Sequence, residues 1–255
     1  MRDGAQSIHR ALAILRTLAT SRETGTGLSA IVETTGLSPP TVHRILHALI
    51  EEGVVERKPR TGRYALGSEI HLLALARTVQ SKMLTVAAPY LQELASDIGD
   101  TVFLTLRSGL DTICIARRLG SYPIQVLVLS VGDRRPLGIS SAGHALMAAM
   151  PHAEARRVLL ENGSRIRASE LKPQEAREAV RLARARGYAL RERGIVPGTK
   201  AISVVMSDEN KAPNAALTVA GIARRLPLTH IADVVARLKQ CAGQIEARYV
   251  SKSAG

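Results

Sequence analysis

Residues 28–64 read LSAIVETTGLSPPTVHRILHALIEEGVVERKPRTGRY, and their spacing decides the architecture of the N-terminal part of the chain. A short apolar-periodic segment, a Gly-containing break and a second periodic segment follow one another. A basic turn between two β-prone runs comes next. In the second segment Val42, Ile45, Leu46, Leu49 and Ile50 fall on one arc of a helical wheel, while Pro40, His43, Arg44 and His47 fall on the opposite arc. One face can bury and the other can offer donors outward. Gly36 gives the break its permissive backbone, and Leu37 can point back into the core. Pro40 suits a first helical position, where its missing N–H would be unpaired anyway. Because the residue before a proline is pushed out of the α region, the helix is expected to start at Pro40, with a capping role for Ser38 left open. An amphipathic helix pair joined by glycine can also be a mere packing unit, and then His43 and His47 are only solvated side chains.

The following segment weighs against that bland alternative. Val54–Lys58 and Arg63–Leu66 flank Pro59-Arg60-Thr61-Gly62, a hairpin with Pro and Gly at turn-favouring places. Arg57, Lys58, Arg60 and Arg63 put four cations on it. Cations so placed neutralise phosphates and release counterions, giving sequence-independent affinity for DNA. The layout is a helix-turn-helix followed by a basic wing.

GLSPPTVHRILHALIEEGVVER followed by GRYALG resembles the N-terminal domain of the IclR family of bacterial transcriptional regulators. Further on, PLGISSAGHALMAAMP and RARGYALRERGIVPGTKAISVVMSDENKAPNAALTVAGIARRL resemble that family's effector-binding domain. Together these stretches cover nearly the whole chain in the family's order. The resemblance implies an α/β (α+β) protein with three parts. These are a winged helix-turn-helix domain over residues 1–67, a linker helix over 68–80, and a GAF-like effector-binding and oligomerisation domain over 81–255. It also implies double-stranded operator DNA and a small organic acid as partners, and a homo-oligomer, either a dimer or a dimer of dimers. The residues expected to meet DNA are Ser38, Pro40, Thr41, His43, Arg44 and His47, with Arg57, Lys58, Arg60, Arg63 and Tyr64 on the wing.

Composition agrees with a globular chain of two units. The sequence is 255 residues long, 45% hydrophobic and 22% charged. No run approaches the length of a membrane span. MRDGAQSIHRALAIL has neither a long apolar stretch nor a small-residue cleavage site, so no export signal is read there. Cys114 and Cys241 form no CxxC pair, which predicts reduced thiols, a cytoplasmic location and no structural zinc. The net charge of +13 fits an anionic partner. Residues 1–67 hold nine Lys/Arg against six Asp/Glu, a net of +3, so +10 lies elsewhere. Global charge therefore does not locate the site. Aromatic residues make up 2% of the chain, too few for single-strand binding by base stacking.

Ser7–Leu18 reads as a first helix, with Ile8, Ala11, Leu12, Leu15 and Leu18 at helical spacing and Ser7 as a cap. Ser68–Gln80 is helical with a broad apolar face, packed either between subunits, as the resemblance implies, or on its own effector domain. Helices are expected at Val86–Ile98, entered through Pro89, and at Ser141–Met150, Glu154–Leu160 and Pro173–Arg186. A last helix buries Ile231, Val234, Val235, Leu238, Cys241 and Ile245. Thr101–Leu106 and Thr112–Ala116 read as a hairpin around Ser108-Gly109. Ile124–Leu129, Ala201–Met206 and Ala215–Ala220 are further strands, the last two joined by a polar loop at 208–214. This mixed order suggests an antiparallel sheet with helices on its faces.

GDRRPLGISSAG, Gly132–Gly143, puts small residues ahead of a helix. There backbone N–H groups can hold an anion, or the glycines can merely serve a tight turn. By resemblance, the pocket is formed by Ser140, Ser141, Ala142, Gly143, Thr199, Ala201, Thr218 and Ala220, with Ile124, Leu127 and Leu129 as apolar wall. The chain departs from the family pattern at Arg191-Glu192-Arg193, where acidic residues are usual, at His144 for Lys or Arg, and at Val205 for Pro. Arg191 and Arg193 are therefore candidates to hold a carboxylate, with solvent-facing arginines as the plain alternative. Enzyme motifs are missing. Gly138-Ile139-Ser140-Ser141-Ala142 ends in Ala where a GxSxG elbow needs Gly, and HExxH and P-loop patterns do not occur. No cofactor is implied. The competing function is an architectural DNA-binding protein whose second domain only oligomerises.

Overall fold

The computed structural model describes residues 3–19, 25–75, 78–169, 171–193, 196–207 and 212–253. The chain divides into two compact units, Met1–Gln80 and Ser81–Gly255.

The first unit is built from α1 (Asp3–Ala19), α2 (Leu28–Thr35), α3 (Pro39–Glu51), β1 (Val55–Arg57), β2 (Tyr64–Leu66) and α4 (Ser68–Leu75). Its core gathers Ile14, Leu18, Ile31, Val42, Leu46, Val55 and Tyr64. Full burial of such side chains contributes about 1.5–3 kcal/mol each. Helix α2 stops at Gly36, whose φ of 66° is left-handed and whose N–H closes on Val32 O. Leu37 then packs partly buried on the core. β1 and β2 pair antiparallel, and Thr26 adds a bridge to Tyr64.

Several expectations shift here. α1 begins at Asp3, so Ser7 lies inside the helix and does not cap it. The buried stripe of α1 centres on Ile14, whereas Ile8 and Leu12 are exposed. Helix α3 starts one residue early, at Pro39, with Ser38 as N-cap. The Ser38 side chain takes no backbone N–H; its hydroxyl pairs with that of Thr41 at 2.9 Å. The expected linker helix is helical over Ser68–Leu75, residues 76–77 lie outside the described set, and Thr78 already opens the next helix.

That helix, α5 (Thr78–Ile98), carries Pro89 in its interior rather than at its start. Six strands follow: β3 (Thr101–Ser108), β4 (Asp111–Arg118), β5 (Arg134–Pro136), β6 (Ala189–Arg191), β7 (Thr199–Ser207) and β8 (Pro213–Ile222). They form one antiparallel sheet in the order β5-β4-β3-β8-β7-β6. Between them lie α6 (Ser141–Ala149), α7 (His152–Glu161), α8 (Gly163–Ala168) and α9 (Pro173–Arg186), and α10 (Leu228–Ser253) closes the chain. The short β6 and α8 carry no clear periodic signal in the sequence, and residues 208–211 of the expected loop lie outside the described set.

Strict alternation gives the sheet two different faces. Val102, Leu104, Ile202, Val204, Met206, Leu217 and Val219 pack against α5 and α10 in the main core. Their sequence neighbours Phe103, Thr105, Ala201, Ser203, Thr218 and Ala220 face the other way. On that side Ala216 and Val205 pack with α6 residues. The predicted strand at Ile124–Leu129 does not form. Side chains hold this stretch in place of a ladder: Arg117 Nη1 donates to Leu129 O (3.0 Å), Arg135 Nη2 to Val128 O (2.8 Å), and Gln125 Nε2 to Gly99 O (3.0 Å).

Helix α6 is capped by Ser140, whose Oγ accepts the Gly143 N–H at 3.1 Å. One turn on, His144 is buried and its Nε2 donates to Gly138 O at 2.9 Å, leaving Nδ1 without a partner. Burial, helped by the charge of Arg191, pushes its pKa from 6.5 down to about 4, against the opposing pull of the Gly138 bond. Between those two values the unfolded chain takes up a proton that the folded chain refuses. Stability is therefore full above about pH 6.5 and falls as the pH drops toward 4, by roughly 3 kcal/mol at this one site. Thermal melts of wild type and His144→Gln at pH 7 and pH 5 test this. The variant should lose much of the wild type's acid sensitivity, and equal sensitivity would show that His144 is not its source.

Candidate effector pocket and DNA-reading surface

In the first unit the outward arc of α3 is where the spacing puts it. Pro40, His43, Arg44 and His47 are exposed, with Thr41 half-buried at the edge. His43 and Arg44 make no hydrogen bond or ion pair among the described residues, so both are free to meet a ligand. His47 Nδ1 sits 3.2 Å from Glu51 Oε1, an acidic neighbour one turn away. On the hairpin, Arg57 donates to Gly62 O (3.2 Å), Lys58 pairs with Glu56 (3.2 Å), and Arg63 donates to Gly25 O (3.3 Å). Arg60 stands exposed in the turn. Tyr64 is a correction: its ring is buried in the core, with Arg57 above it at 5.8 Å.

In the second unit a cavity lies between the inner sheet face, the start of α6 and the side-chain-held stretch 126–129. Its lining includes Leu129, Ser140, Ser141, Ala142, Arg191, Thr199, Ala201, Thr218 and Ala220, all named from the sequence. Sheet register explains the convergence: Arg191, Ala201, Ala220 and Thr101 pair in one row across four strands. About 40 Å³ is open to the centres of water molecules, room for a few waters.

Four of the sequence candidates fall elsewhere. Ile124 and Leu127 are each 56% exposed, because the stretch is not a strand and its facing does not alternate. Gly143 is buried within α6, where a Cβ would lie 3.1 Å from Gly138 N, so it serves close packing. Arg193 is exposed and contributes only its backbone carbonyl, which accepts Arg191 Nε at 2.8 Å. Phe103, Thr105, Val126, Val128 and Lys200 also line the cavity and were missed. Phe103 and Thr105 were legible in principle, since they alternate with the core-facing Val102 and Leu104. Lys200 turns its ammonium to Leu226 O at 3.0 Å.

The electrostatics are one-sided. Burial lowers the pKa of Arg191, the charge of Arg135 lowers it further, and Glu175 only partly compensates. Among the described residues, Arg191 Nη1 and Arg135 Nε are buried without hydrogen-bond partners, as is the hydroxyl of Thr105. Buried, unpaired donors cost stability and are best explained by a missing acceptor. The opposite end is saturated: Ser141 Oγ donates to Ala189 O and Ala201 O (3.2 Å each), and Ser203 Oγ contacts Ser141 Oγ (2.8 Å) and Thr218 Oγ1 (2.7 Å). The described residues contain no cluster suited to a metal ion, and no helix among them is long and apolar enough to cross a membrane.

A winged helix-turn-helix joined to a second unit with a cation-lined pocket defines a ligand-responsive DNA-binding regulator. Likeness to known proteins gives the family. Residues 7–59 match the IclR helix-turn-helix domain, and residues 76–247 match the bacterial transcriptional regulator IclR C-terminal domain. The chain is 31% identical over 248 residues to the glycerol operon regulatory protein of Streptomyces griseus, covering 94% of each. It is 22% identical over 247 residues to the transcriptional repressor IclR of Escherichia coli, covering 96% of this chain and 90% of that one. An IclR homologue from Microbacterium hydrocarbonoxydans, solved in complex with 4-hydroxybenzoate, shares the fold. Its TM-score is 0.73 at 21% identity, over 96% of this chain and 100% of that one. The chain belongs to the IclR family of bacterial transcriptional regulators. It is a regulator with a helix-turn-helix DNA-binding domain and a C-terminal effector-binding domain, and the relatives are regulators rather than enzymes.

The Thr105 hydroxyl gives a test that needs no ligand. Thr105→Val keeps the shape of the side chain and removes an unpaired buried polar group. It should stabilise the ligand-free protein by about 1 kcal/mol in urea denaturation. A loss of stability would mean that the hydroxyl already has a partner.

Proposed function

We propose that the cavity beside Arg191 is the effector site, that it takes a small organic acid, and that its occupancy alters operator affinity. The observation that carries this reading is that Arg191, a residue of the pocket lining, keeps a buried Nη1 with no acceptor among the described residues. A carboxylate supplies such an acceptor, and a guanidinium pairs with it well. In this reading residues 1–67 read DNA, 68–80 link, and 81–255 bind effector and oligomerise as a dimer or a dimer of dimers. The protein works in the cytoplasm, where its operator is. Two DNA-reading units on a two-fold axis fix the half-site spacing. Effector binding biases one arrangement by a coupling of about 1–3 kcal/mol, which changes operator affinity roughly 5- to 150-fold.

On the DNA side, Thr41, His43, Arg44 and His47 face the bases and backbone. Arg57, Lys58, Arg60 and Arg63 meet phosphates, while Tyr64 supports the wing from the core. Arg44→Ala should weaken specific binding by about 1–3 kcal/mol and non-specific binding less. Removing the four wing cations should weaken both and lower the salt slope by about one for each phosphate no longer neutralised. Fluorescence anisotropy on the gene's own upstream DNA and on a scrambled fragment reads both quantities. An unchanged slope would take the wing out of the interface.

For the pocket, calorimetry with a panel of small carboxylates, 4-hydroxybenzoate included, separates the two arginines. Arg191→Ala should weaken the acids that bind by about tenfold or more, and Arg193→Ala should leave them unchanged. Unaltered binding by Arg191→Ala would remove the cavity from the effector reading. A protein that binds no acid and prefers no DNA sequence would fit an architectural role instead.

A further inference from the structure

We propose that Ser203, which does not itself line the cavity, sets the polarity of the ligand by engaging the proton of Thr218. The inference rests on the reading of this cavity as the effector site. It starts from two carbonyls, Ala189 O and Ala201 O, which can only accept. Ser141 lies 3.2 Å from both and gives them its single proton. Ser141 then receives from Ser203 at 2.8 Å. With its proton committed, Ser203 receives from Thr218 at 2.7 Å. A hydroxyl has one proton to give, so each step fixes the next. Ser141 is 3% exposed and Ser203 0%, so water has no route to reset the chain from behind. Thr218, on the cavity wall, is left with lone pairs alone to offer.

Thr105 completes the arrangement. It pairs with Ala216, two residues along β8 from Thr218, so the two threonines are diagonal neighbours about 7 Å apart on one face. A ligand oxygen seated between them, once the wall over the cavity yields, would meet both. The Thr105 hydroxyl has no partner and can give or take a proton. A ligand hydroxyl donates to Thr218 and accepts from Thr105, satisfying all three groups. A ligand carbonyl accepts from Thr105 but meets Thr218 lone pair to lone pair. The pocket therefore favours an acid bearing a hydrogen-bond donor over its oxo counterpart, and the discrimination originates one residue behind the wall.

Titration calorimetry of the full chain with two matched pairs tests this: 4-(hydroxymethyl)benzoate against 4-formylbenzoate, and 4-hydroxybutanoate against 4-oxobutanoate. In the wild type the hydroxy member of a pair should bind about tenfold more tightly. Ser203→Ala frees the Thr218 proton and should bring the ratio close to one, chiefly by tightening the oxo acid, with DNA binding retained and only a modest drop in melting temperature. Thr218→Val should also abolish the ratio, but by weakening the hydroxy acid, and it decides the matter should Ser203→Ala not fold. Equal affinities in the wild type, or a ratio untouched by both variants, overturn the inference while leaving the pocket reading intact. Acids whose affinity Arg191→Ala does not change, or binding of neither pair, would bring down the pocket reading and this inference with it.

Discussion

Asp100 is a carboxylate almost wholly withdrawn from water, and one cation answers it. Arg225 reaches it through Nε at 3.0 and 3.2 Å, donates a further bond to Ile98 O at 3.3 Å, and lies 3.9 Å above the ring of Tyr122. Burial raises the pKa of Asp100, and Arg225 pulls it back only in part. Stranding the buried Asp100 by removing Arg225 costs about 3–5 kcal/mol, whereas the partly exposed Arg225 can turn to water. Glycine makes room for the pair at this corner: a Cβ on Gly221 would fall 2.8 Å from the Asp100 carboxyl carbon. From this corner hangs the stretch that walls the cavity, through Tyr122 N–H and Gln125 Nε2 to Gly99 O at 2.9 and 3.0 Å. The charge pair thus anchors one end of the stretch whose other end walls the cavity, where Arg117 and Arg135 take over.

The sheet divides its work by parity. One set of alternate residues joins α5 and α10 in an apolar core that can tolerate no unpaired polar group. The other set carries Phe103, Thr105, Ser203 and Thr218, where polar groups are admitted and some are left unmatched. The first face supplies the stability that lets the second keep unsatisfied donors. The helix-turn-helix makes the same division on a single helix, with Val42 and Leu46 buried and His43, Arg44 and His47 outward.

What could be read in the sequence follows from how local its cause is. Helical periodicity placed α3 and α10 well, because burial on one side repeats at a fixed interval. The boundary at Pro39 was missed by one residue, since two prolines in succession are compatible with the first turn once Ser38 is extended. Ile124–Leu129 looked like a strand because its residues are β-prone. Its partners are side chains distant in sequence, Arg117 and Arg135, and no pattern within six residues announces them. That one error turned Ile124 and Leu127 inward and hid Val126 and Val128. Arg191 was found because it departs from the family's acidic pattern; that Arg193 beside it serves only through its carbonyl depended on a bend that spacing does not encode.

The wall over the cavity is fastened by replaceable bonds. Arginine donors from Arg117 and Arg135 hold Leu129 O and Val128 O, while the strands beneath are held by backbone ladders. The space beneath it has room for little more than water, so the acid proposed for it would have to displace part of this wall before it could settle. In kinetic terms, on the reading of this cavity as the effector site, the frequency with which two arginine bonds yield would set how fast a guest arrives. The guest's own chemistry then sets chiefly how long it stays.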